Sequence, residues 1–156
     1  MTEPRAVELD GDRYSELLGF ICKGRQDPET FLRALWNASQ TADDIADGDD
    51  APGAMALLID QMMDALSSPF YQQNTDALRS VIATATANWL QSSRWEMAGD
   101  NHRRMYAWVW RESLDSAAIA VAYIIGGMEH ATAARARIAD DLYTGDQAEP
   151  FEGWKR

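Results

Sequence analysis

A chain of 156 residues with 46% hydrophobic and 25% charged side chains has the size and balance of one globular domain, and is too apolar for a disordered chain. Its formal charge of -11 excludes a passive nucleic-acid binder, which needs a basic face for phosphate, and speaks against docking on an anionic membrane. The one cysteine, Cys22, excludes a disulfide framework and fits a reducing, cytoplasmic setting.

Residues 1–10 are polar and read as a loose lead rather than a signal peptide. Tyr14, Leu17, Leu18 and Ile21 then recur at helical spacing, and Lys23-Gly24 closes this first helix. Cys22, with no histidine nearby in sequence, reads as a small buried apolar residue. Asp27 and Pro28 fit the cap and first position of a second helix. Phe31, Leu32, Leu35 and Trp36 give it an apolar face, and it should run into Asp47 and stop at Gly48.

The stretch 49–53 is a turn. A third helix follows through Leu66, with Met55, Leu58, Ile59, Met62, Met63 and Leu66 as an expected core stripe. Ser67 to Tyr71 breaks the pattern, and a fourth helix is expected from about Asp76 to Met97. After a turn at 99–101, a long fifth helix is expected from His102 to Ile125, closed by Gly126-Gly127, and a last one from Glu129 to Leu142. The longest apolar run, 117–128, is about half of the ~20 residues a bilayer span needs, so it reads as a core helix. Trp108 and Trp110 cannot share one narrow face, so the fifth helix should be buried on more than one side, within the bundle or at a homodimer contact. The tail beyond Gly145 is polar, with Phe151 and Trp154 able to dock it. No segment alternates as a strand does, so the fold class is all-α, a single-domain bundle of about six helices.

Chemistry concentrates at two places. The second helix ends in Gln40, Asp43, Asp44 and Asp47, where Asp43 and Asp47 lie one turn apart on one face. Aspartates at a helix C-terminus oppose both helix propensity and the helix dipole, the kind of local conflict found at functional sites. A solvated acidic helix end is the plainer reading. Crowded carboxylates suit a hard dication with oxygen ligands, Mg2+ or Mn2+, which completes its shell with water and phosphate. The fourth helix carries Asn88, Ser92 and Glu96 on one stripe, a second set of oxygen donors.

The pair of motifs, Asp-Asp-x-x-Asp at 43–47 and Asn-x-x-x-Ser-x-x-x-Glu at 88–96, resembles the class I isoprenoid (terpenoid) synthases. The resemblance implies that the motifs face each other across a helical cavity and hold magnesium against a diphosphate. Asp43, Asp44, Asp47, Asn88, Ser92 and Glu96 would then be metal ligands, with Gln40, Arg94, Arg104 and Arg111 on the substrate side. Trp89 stands where the family's second motif has another polar residue. The segments Asp43 to Asp49, Pro69-Phe70-Tyr71 and Asn88-Trp89 to Glu96 are also similar to small helical proteins of tailed phages, a resemblance that implies no activity. Glu112 and Asp115 form a Glu-x-x-Asp pair of the kind helical nucleotide pyrophosphohydrolases use for magnesium; a surface or interhelical pair is the alternative, as is a local Arg111–Asp115 ion pair.

Two functions follow as expectations. One is a magnesium-dependent protein acting on a diphosphate-bearing small molecule or modified nucleotide. The other is a non-enzymatic, phage-type acidic protein that binds a basic protein partner. They differ in whether the carboxylates oppose each other or spread over a convex surface.

Overall fold

The computed structural model describes residues 11–49, 51–97 and 100–143. Among these residues there is no strand, and the fold is an all-α bundle. The helices are α1 (Gly11–Ile21), α2 (Gln26–Asp47), α3 (Ala54–Ser67), α4 (Pro69–Gln73), α5 (Thr75–Glu96), α6 (Asn101–Arg111) and α7 (Asp115–Leu142), with a 3-10 turn at Glu112–Leu114. α2 pairs with α3 and α5 with α6, while α7 packs mainly on α5 and α1 and touches α2.

Local chemistry accounts for most helix ends. At the end of α2, Gly48 takes a left-handed conformation (φ 79°) that L side chains resist. Its N–H bonds the Ile45 carbonyl while Asp49 N–H reaches the Asp44 carbonyl, so two orphan carbonyls are satisfied. The expected stop at Gly48 is therefore observed. The expected Asp27 cap is not. The position belongs to Arg25, whose guanidinium pairs with Asp27 at 2.9 Å. The expected break at Ser67–Tyr71 contains a helix of its own, α4, capped by Ser68 Oγ accepting from Tyr71 N–H.

The long fifth helix is the main difference. It is interrupted at Glu112–Leu114, where Ser113 Oγ donates to the Trp110 carbonyl at 2.6 Å and competes with the helix ladder. Further on, the break at Gly126-Gly127 is a kink within α7, with Gly127 at φ 72°. A side chain at Gly126 would meet His130 at 2.7 Å. This close approach lets His130 Nε2 donate to the Ile21 carbonyl at 2.9 Å and tie α7 to the end of α1. His130 thus has a structural task. The stretch 101–142 has a length and composition that could cross a membrane, a test the core helix of a bundle also meets.

The core is one connected cluster, with Leu17, Leu18 and Ile21 of α1, Phe31, Leu32 and Leu35 of α2, Phe70 of α4, Leu78 of α5, and Val121 and Ile138 of α7. Phe31 is fully buried and stacks on Tyr71 with ring centres 5.8 Å apart. Cys22 is fully buried here too, and burial, then the charge of Glu29, pushes its thiol up to about 12. A thiol held protonated in this way is not a nucleophile. The expected α3 core stripe is only half observed. Leu58, Met62 and Leu66 turn inward, while Met55, Ile59 and Met63 are exposed.

Candidate functional site

The apolar core ends about halfway along α2, and beyond Ala38 and Thr41 its inward face becomes acidic. Side chains from the second half of α5 reach across to this half of α2, and α6 packs against α5. The three elements meet on one side chain, Arg111, the last residue of α6.

The guanidinium of Arg111 is four-fifths buried. Its Nη2 donates to both carboxylate oxygens of Asp43 at 2.8 Å and lies 3.5 Å from Asp47. Its Nη1 donates to Glu96 at 3.2 Å. One cation therefore joins α2 to α5. Burial works against its charge, but Asp43, then Glu96 and Asp47, more than compensate and raise its pKa. Three carboxylates around one guanidinium leave a formal surplus of two negative charges (three minus one).

Trp89 completes the arrangement. Its indole Nε1–H donates to Asp43 Oδ1 at 3.3 Å, so Asp43 is held from α5 and α6 together. Ser92, on the same face of α5 between Trp89 and Glu96, is fully buried, and its hydroxyl oxygen has no hydrogen-bond partner. A buried hydroxyl without a partner costs about 1–3 kcal/mol. Buried hydroxyls of this kind occur where an ordered water sits, where a polar group binds, or where strain is stored.

A second polar cluster adjoins the first. Glu112 follows Arg111, and the Tyr143 hydroxyl from the end of α7 donates to Glu112 at 3.4 Å and also to Asp115. Asp115 pairs with Arg135 at 3.4 Å, not with Arg111. Burial, reinforced by the neighbouring charge of Asp115, raises Glu112 to about 7. Burial also raises Asp115 and Tyr143. Beneath Asp115 an apolar cavity of about 50 Å³ opens between α1, α2 and α7, lined by Leu17, Leu35, Trp36 and Ile138.

The sequence-expected residues divide clearly. Asp43, Asp47, Glu96 and Arg111 are brought together, and Ser92 lies on the same stripe. Asn88 is half-buried one turn before Ser92, while Gln40 and Asp44 are exposed on α2. Arg94 is exposed on the side of α5 away from Glu96, and Arg104 bonds Asn101 in its own first turn. Neither arginine reaches the cluster. The local Arg111–Asp115 pair does not form, because the 3-10 turn after Arg111 breaks the register that would set them one turn apart. Trp89 and Tyr143 were not expected as site residues. Trp89 stands within the motif itself, while nothing in the local sequence marks Tyr143.

Among the described residues, no three acidic, imidazole or thiol groups converge tightly enough to hold a metal ion by themselves. The donor set nevertheless suits a hard cation. It is all oxygen, it carries excess negative charge, and it includes an unsatisfied hydroxyl. Comparison with family models, curated proteins and solved structures gives no match.

Proposed function

We propose that the Arg111 cluster binds the diphosphate group of a small molecule or nucleotide together with Mg2+ or Mn2+. The observation that carries this reading is the meeting of Asp43 and Asp47 from α2 with Glu96 from α5 on one largely buried arginine. An arginine fork matches phosphate oxygens as well as carboxylates. When diphosphate arrives, Arg111 can exchange carboxylate partners for phosphate oxygens without leaving its place. The carboxylates so released, Asp43, Asp47 and Glu96, would hold the dication, with Ser92 as a neutral oxygen donor and water and phosphate completing the shell. A bound magnesium ion would neutralise the diphosphate and polarise it as a leaving group or as a target for water. Glu112, with a pKa near neutrality, is placed beside Arg111 to take or give a proton.

Calorimetric titration with MgCl2, with pyrophosphate, and with both tests this reading. The two ligands should bind more tightly together than apart, because each offsets the other's charge. Asp47→Asn, at an exposed position, should weaken the joint binding and leave the fold intact. Asp43→Asn should weaken it more. If pyrophosphate and the ion fail to bind to folded wild-type protein, the reading is wrong.

A further inference from the structure

The outer side of α3 presents a second surface, independent of the Arg111 cluster. Met55, Ile59 and Met63 recur every four residues and line one flank of the helix. They are 57%, 58% and 60% exposed. α3 is fixed to the body through its other side, against α2 and α4, with Ala65 fully buried. Among the described residues, nothing covers the apolar stripe.

The charges beside the stripe identify what fits on it. Asp60 and Asp64 are exposed next to it, and α3 contains no lysine or arginine. A second copy of the chain would pair α3 with itself, and two-fold symmetry about Ile59 would set Asp60 close to its own mate. Like charges so placed oppose pairing, and the chain's overall charge of -11 adds to this. A helix with an apolar seam flanked by lysine or arginine meets both features at once. Methionine side chains adapt to varied apolar shapes, and such surfaces accept many helices of this class.

We propose that the Met55–Ile59–Met63 face of α3 docks a cationic amphipathic helix of a protein partner, its apolar seam on the stripe and its basic flank on Asp60 and Asp64.

The test uses the full chain with its methionine methyls carbon-13 labelled, and two synthetic helical peptides. Both peptides carry the same leucine and phenylalanine seam; one has lysine and arginine on its flanks, the other glutamate. The cationic peptide should shift the Met55 and Met63 methyl signals, and the anionic one should not. Ile59→Ser/Met63→Gln should weaken cationic-peptide binding by about ten-fold or more, equivalent to ~1.4 kcal/mol. Asp60→Asn/Asp64→Asn should weaken it several-fold and reduce its salt dependence. These positions are exposed, so the fold should persist; if circular dichroism shows otherwise, the wild-type methyl map alone decides. Three results would overturn the proposal: unmoved Met55 and Met63 methyls, equal binding of both peptides, or self-association that protects these methyls without peptide.

Discussion

The two halves of α2 are held in place by different physics. The first half buries Phe31, Leu32 and Leu35 in a cluster fed by five other helices. Many small dispersion contacts act there, and none has a strict direction. The second half packs on α3, and on its side toward α5 and α6 it is held by Asp43 and Asp47, through one guanidinium and one indole. On that side the contacts are few and directional, and those to the guanidinium depend on ionisation. The first half supplies stability; on the proposed function, the second is the part that a ligand offering the same charges would rearrange. A helix that is apolar at one end and charged at the other therefore anchors the site without sealing it.

The comparison can be broken most forcefully at its apolar end. Phe31→Ala should cost about 3–5 kcal/mol in denaturant unfolding, as truncation of a buried aromatic does, and the loss should be insensitive to salt and pH. A salt-dependent loss would mean that the two halves are not separable. At the charged end, Arg111→Met leaves Asp43 and Glu96 without their shared partner. A cost of ~2–3 kcal/mol is expected near neutral pH, below the fully buried case because the cluster is partly solvated.

The third test concerns Glu112. Its pKa is raised from 4.5 to about 7 in the folded protein. Between these values the native state binds more protons than the unfolded chain, so stability falls as pH rises. The contribution is complete below 4.5 and lost as pH passes through about 7. Glu112→Gln should therefore flatten this slope and stabilise the protein in mildly alkaline buffer by ~1–2 kcal/mol. Unfolding curves across this range measure it, and a variant less stable than wild type in alkaline buffer would contradict the assignment. The smallest effect is expected from Trp89→Phe, which removes one hydrogen bond to Asp43 and should cost ~1 kcal/mol.

Much of the fold was legible because helical periodicity and breakers are local. The end of α2 at Gly48 follows from a left-handed glycine after an acidic turn. Helical spacing put Asp43 with Asp47 and Ser92 with Glu96 on their own helix faces, but that these faces approach each other was implied only by the resemblance to the isoprenoid synthases. The arginine that joins them was one of three expected, and sequence could not choose among them. Arg94 faces away and Arg104 turns back on Asn101, and only tertiary packing decides this. The turn at Glu112–Leu114 was invisible because its residues continue the helical pattern, while a serine hydroxyl bonds the Trp110 carbonyl there. The exposure of Met55, Ile59 and Met63 was missed for a related reason. An apolar stripe shows that a face wants cover, without saying whether this chain supplies it.

On the proposed function, the second half of α2, through Arg111, takes diphosphate and a dication. Trp89 offers the most direct probe, since its indole N–H touches Asp43 and the chain has six tryptophans to compare. In a nitrogen-15 spectrum, Mn2+ added with pyrophosphate should broaden the Trp89 indole signal at lower concentration than the other tryptophan indoles. Asp43→Asn should abolish that preference. Uniform broadening of all indoles, or none at saturating pyrophosphate, would contradict the claim.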